Sequence, residues 1–144
     1  MAACGPTNRL AIRAISQAVA SNKSPLVRSH AVVAAGKLED RKAISLCLKI
    51  ALGDKNPMVR STAIYVIAVR QDHEMLPTLK TTSVKDTDIT VTHWAKEAIK
   101  AIENEDHSPF KKFLVEVLDD HDGKFDEERS ARWEKFLKER DKGK

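Results

Sequence analysis

One short segment returns along this chain at a fixed interval of 32 residues. Asn56-Pro57-Met58-Val59-Arg60-Ser61-Thr62-Ala63 repeats Ser24-Pro25-Leu26-Val27-Arg28-Ser29-His30-Ala31. A weaker third copy starts at Asp88, with Val91 and Ala95 in the places of Val59 and Ala63. Behind each copy the apolar positions keep register: Val27, Ala31, Ala34, Ala35 and Leu38; Val59, Ala63, Val66 and Ile67; Val91, Ala95, Ala98, Ile99 and Ile102. That spacing puts them on one face of a helix, the core face, with Val59 as its central structural residue. The preceding half of the unit repeats as well. Ile12 and Ile15 match Ile44 and Cys47, then Leu76 and Leu79, while Asn22, Asp54 and Asp86 share one column. A period that carries two helices and recurs three times specifies an all-α solenoid.

The rest of the sequence bounds what such a stack can be. A chain of 144 residues holds one domain or one short array. Only 5% of it is aromatic, and alanine fills many core-facing positions, which suits thin, close helices better than a roomy cofactor pocket; no cofactor is expected. Cys4 and Cys47 are too few for a disulfide framework. No run approaches 18 apolar residues, so no membrane span is expected. Residues 1–6 lack the charged start and apolar run of a signal peptide, and a cytoplasmic setting is expected. The charge is lopsided. Residues 1–60 carry ten Lys/Arg against three Asp/Glu, whereas residues 103–128 carry three against ten.

Taken in order, the pattern predicts helices over 9–21, capped by Asn8, and 25–38. Next come 41–52 and 57–70, where Gly53 ends one helix and Pro57 opens the next. The helix over 57–70 is apolar nearly all round, as expected in the middle of a stack. In the third unit Pro77 is tolerable only if its helix starts near Met75 or Leu76, and 90–102 follows. Repeats are thus expected at 9–38, 41–70 and 73–103. A closing pair over 108–141 uses Ser108 as cap and Pro109 as opener, with Trp133 packed on the helix 109–118. This makes about eight helices in four antiparallel pairs, a right-handed stack in a single domain.

The turn Asp54-Lys55-Asn56-Pro57-Met58-Val59-Arg60-Ser61-Thr62-Ala63 resembles the HEAT-like repeats, in particular the short variety of phycobilisome lyases. Residues 22–28 match with Asn22 for the acid; residues 86–92 keep Asp86 and Val91 but lose the Arg. The resemblance implies a ladder between adjacent repeats, made by the turn acid and the Arg six residues on. It also implies a concave surface that grips a partner. Read from position alone, Arg28 and Arg60 lie one turn into a helix, close to the side chains of Asn22 and Asp54, as structural pairs.

The face opposite each core stripe is the expected partner-binding surface. It holds Ser29, Val33, Gly36 and Asp40, with Lys37 beside them; then Ser61, Tyr65, Ala68 and Asp72; then His93, Glu97, Lys100 and Asn104. Tyr65 should anchor a protein or peptide there without being needed by the stack. The competing expectation is that the C-terminal pair, or a second copy of the chain, folds over this face. The five histidines share no metal-ligand spacing, so no metal is expected. His73-Glu74 supplies one pair of the kind that HEAT-like di-iron hydroxylases need several of. The acidic run 119–126 fails as a calcium loop, because Leu118 and Arg129 fall where carboxylates are required. Catalysis is therefore not expected, and a non-catalytic binding or adaptor module is. Two alternatives stand beside it. One is a nucleic-acid-binding module using the basic N-terminal half, through Arg9, Arg13, Arg41 and Lys42 among others. The other is an accessory or subunit relative of the bilin lyases.

Overall fold

Four prolines stand in the first turns of helices, where a missing N–H costs nothing. In a computed structural model, which describes residues 6–106 and 108–113, these are Pro6 of α1 (Pro6–Ser21), Pro25 of α2 (Pro25–Ala35), Pro57 of α4 (Pro57–Arg70) and Pro77 of α5 (Leu76–Lys85). The remaining helices are α3 (Arg41–Leu52) and α6 (Ile89–Glu103). Two 3-10 segments, His73–Met75 and Ser108–Phe113, complete the order, and the described residues contain helices alone. The result is an all-α solenoid of stacked helix pairs.

The caps follow the repeat. Ser24, Asn56 and Asp88 accept N–H bonds from the first turns of α2, α4 and α6. Asp40 and Asp72 do the same for α3 and the 3-10 turn at His73–Met75. At the other end of α4, Gln71 takes a left-handed φ of 55°, and the Asp72 N–H returns to the Ile67 carbonyl at 3.2 Å. Glu105, at φ 51°, closes α6 the same way, with the Asp106 N–H on the Ala101 carbonyl at 2.8 Å.

Three expected boundaries differ. α1 begins at Pro6, so Asn8 lies inside it rather than capping it. α2 stops at Ala35 instead of 38: glycine is a poor helix former, and Gly36 tightens the chain into a turn whose N–H groups reach back three residues. Ser108–Phe113 is 3-10 rather than the start of an α-helix, and Ser108 is not its acceptor. Its N–H and hydroxyl both donate to the Asp106 carboxylate, at 2.9 and 2.6 Å. The expected packing of Trp133, and the rest of the 108–141 pair, lie outside the described residues.

α1 packs on α2, α3 on α4, and α5 on α6. The second helices also pack side by side, α2 on α4 and α4 on α6. α4, flanked this way, buries Val59, Ala63, Ile64, Val66, Ile67, Ala68 and Val69. Together with Val32, Ile44, Leu48, Leu79 and Ile102 they form one continuous core, each large side chain contributing about 2 kcal/mol by leaving water. Val27, expected in the core stripe, is 42% exposed: it stands in the first unit, without the preceding pair that buries its counterpart Val59. The first helices are held less evenly. α1 packs on α3, but α3 and α5 barely touch. A stack whose second helices close up while its first helices part bends toward the second row.

Candidate partner-binding surface

The stack is pinned at its turns by two repeated rungs. Arg28 Nε and Nη2 donate to the two carboxylate oxygens of Asp54 at 2.7 and 3.1 Å, while Nη1 donates to the Asn22 carbonyl at 2.8 Å. One repeat on, Arg60 grips Asp86 at 2.8 and 3.0 Å and the Asp54 carbonyl at 2.8 Å. Each arginine therefore pairs with the acid of the next turn. The expectation that it pairs with the side chain of its own turn is corrected. From its own turn it takes a carbonyl, because the Asx bonds of Asn22 to the Ser24 N–H and of Asp54 to the Asn56 N–H hold those carbonyls toward the helix. Burial alone would raise the Asp54 carboxyl, but the Arg28 bond and the Asn56 N–H outweigh it and hold the group below the usual carboxylate range.

On this frame the second helices show a mixed strip to solvent. α2 contributes exposed Leu26 and His30 and half-buried Val33, and the turn after it half-buried Lys37; α4 contributes exposed Met58 and half-buried Thr62 and Tyr65; α6 contributes exposed His93 and Lys100 and half-buried Glu97. Four of the expected surface residues are not there. Ser29 (5% exposed), Ser61 (7%), Ala68 (0%) and Gly36 are buried. The side of α4 that carries Ser61, Tyr65 and Ala68 turns toward α6, as the contact between Tyr65 and Trp94 shows. Small residues there let neighbouring helices approach, and a side opposite the core stripe is not open when another helix lies beside it. Asp72 is half-buried and spends one oxygen on its cap.

Tyr65 has company that the repeat does not announce. Its ring meets Trp94 edge-on at 5.5 Å and lies 6.1 Å from Phe110, which in turn stands 5.4 Å from Trp94. Phe110 is fully buried and belongs to the 3-10 segment that crosses α4 and α6. The segment Ser108–Phe113 thus folds over part of this face, the rest of the expected pair lying outside the described residues, and Tyr65 packs against the core. Burial raises the Tyr65 phenol pKa, partly offset by a hydrogen bond with the Ser61 side chain. Trp94 escapes a search by stripe, lying between the core face and the expected binding column. Its signal would have been the paired aromatics His93-Trp94, whose rings are 5.1 Å apart.

No group of metal-binding side chains occurs among the described residues, and no helix among them is long and apolar enough to cross a membrane. The family model for HEAT repeats matches residues 12–100, spanning α1 to α6. No curated protein and no solved structure matches the chain.

Proposed function

We propose that this chain, which belongs to the family of HEAT repeats, is a non-catalytic adaptor that grips a protein or peptide along its second helices. HEAT repeats commonly mediate protein–protein interaction. The observation that carries the reading is the strip on α2 and α4, where exposed Leu26, His30 and Met58 and half-buried Val33 accompany the aromatic group of Tyr65 and Trp94. Lys37, His93, Glu97 and Lys100 border it with charge and hydrogen-bonding groups, an apolar centre inside a polar rim. Ser29, Ser61 and Ala68 take no part. A cytoplasmic setting belongs to the same reading.

The test compares the wild-type chain with a His30→Glu/Val33→Asp variant as baits for a lysate of the native source. A protein kept by the first and lost by the second is then titrated calorimetrically, with an expected loss of about tenfold or more in affinity and an unchanged urea midpoint. Equal capture by both baits overturns the assignment.

One observation favours a second reading: Arg9, Arg13, Lys23, Lys42 and Lys49 are all exposed. If the basic half binds nucleic acid, affinity for duplex DNA falls steeply and linearly on a logarithmic salt scale. The narrower kinship with phycobilisome-lyase repeats, and an accessory role beside such enzymes, rests on the turn pattern at Asp54–Ala63 and follows the adaptor reading.

A further inference from the structure

The first helices contain a break that the second helices lack. Counting 32 residues on from Arg41, Lys42 and Ala43, the opening turn of α3, gives His73, Glu74 and Met75. There the chain forms a 3-10 turn, and α5 starts only at Leu76, with Pro77 in its first turn. A proline cannot sit deeper in an α-helix without losing a hydrogen bond, so the helix gives up its opening turn. The space this leaves between α3 and the His73–Met75 turn is a cleft of about 670 Å³, lined by Arg41, Lys42, Ser45, Leu46, Lys49, Glu74 and Met75.

The lining has a definite chemistry. Lys42, Leu46 and Lys49 follow one another at helical spacing on the outer face of α3, with Ile50 next to them beyond the cleft. Leu46 is 56% exposed and Ile50 36%, an unusual pair of aliphatic side chains to leave in water between lysines. The floor is the buried Met75, an adaptable apolar contact. Arg41 and half-buried Arg70 line the adjoining hollow with Ser45, opposite Asp72 and Glu74. Three cations therefore stand beside a leucine and a methionine, with Glu74 alone as an acid on the cleft wall.

We propose that this cleft is a docking groove for an acidic amphipathic helix of a partner protein, its leucine-like side chains over Leu46 and its carboxylates toward Arg41, Lys42 and Lys49. This surface is separate from the strip on the second helices and does not rest on it. Charge complementarity selects the occupant. A phosphate backbone would meet the Lys and Arg side chains, but it would also cover Leu46 and face Glu74. The chain's own acidic stretch within residues 114–128 has the right composition, yet the described segment before it, Ser108–Phe113, packs on α4 and α6 rather than on α3.

The test is fluorescence anisotropy of the full chain with a synthetic labelled helix carrying leucines at i, i+3, i+4 and i+7 and glutamates between them. A shuffled peptide of equal composition and a duplex DNA serve as comparisons. The ordered peptide is expected to bind, more weakly as salt rises, and the shuffled one about tenfold less tightly. Lys42→Glu/Lys49→Glu and, separately, Leu46→Glu each weaken binding by about tenfold or more, whereas Lys96→Glu on α6 leaves it unchanged. All altered residues are exposed, so circular dichroism should match the wild type. The proposal is overturned if the ordered peptide does not bind, as it would not were the groove filled by the chain's own acidic stretch. It is overturned too if Leu46→Glu binds like wild type, if DNA binds more tightly through the same lysines, or if Leu46→Glu abolishes a dimer of the full chain.

Discussion

Arg28 is only 5% exposed in its side chain and Asp54 8%, so each charge depends on the other for its stability away from water. Removing one partner of such a pair leaves a buried charge alone, and Arg28→Ala is expected to cost about 3 kcal/mol in urea unfolding. Arg28→Lys should recover little, because an ammonium cannot span both oxygens and the Asn22 carbonyl at once. The acid side follows by linkage. With its folded pKa lowered, Asp54 contributes stability that is complete above its unfolded value of about 3.9 and is lost as pH falls through the folded value. A series of urea midpoints from neutral pH to about pH 2 should therefore drop below pH 4, and Asp54→Asn should flatten that drop. The sequence placed these residues at the turns but could not say that each arginine reaches the next turn, since a contact across 26 residues leaves no local pattern. The likeness to HEAT-like repeats did imply it. Val59 was legible for a simpler reason: its apolar stripe recurs, and it is fully buried. Ser29, Ser61 and Ala68 were misread because helical angle gives the direction of a side chain, not what lies in that direction.

At the scale of elements, the segment Ser108–Phe113 is anchored by the buried ring of Phe110 and by the two bonds of Ser108 to Asp106. Phe110 packs against both Tyr65 and Trp94, and its non-helical φ of −114° marks the kink of the chain there. Phe110→Ala is expected to cost about 3 kcal/mol. In a Trp133→Phe background, the emission of Trp94 should shift to longer wavelength as its ring meets water. Tyr65→Ala should cost about 2 kcal/mol, more than a free surface tyrosine would. A double-mutant cycle with Phe110→Ala should return a coupling of about 1 kcal/mol. Additive losses would mean that the two rings act independently. Within the elements, proline and cap positions made most helix starts readable, as at Arg41, Pro57 and Leu76. The 3-10 form of the last described segment was not readable, because Ser108-Pro109 suits an α-helix equally well and the aromatic contacts that decide it come from α4 and α6.

Among the described residues the stack has two rows closed to different degrees, and Phe110, outside the repeats, covers Tyr65 and Trp94. Ending the chain after Glu105 should therefore expose Tyr65 and Trp94 and lower stability by several kcal/mol, about the worth of Phe110 or more, seen as a fall in the urea midpoint. The two rungs carry a different consequence. The middle unit accepts Arg28 through Asp54 and donates through Arg60 to Asp86, so it offers one socket upstream and one plug downstream. Doubling residues 41–72 in tandem keeps every socket filled, and the lengthened chain should unfold in one transition with a larger urea m-value. Doubling residues 73–104 breaks the rule, since Thr92 stands where the plug should be and the second Asp86 would wait for an arginine that never comes. That chain should show a lower midpoint than the first. The number of units is thus adjustable in the interior and fixed at both ends, since a doubled first repeat would set Arg28 against Asn22, so only the middle unit can be copied to lengthen the stack.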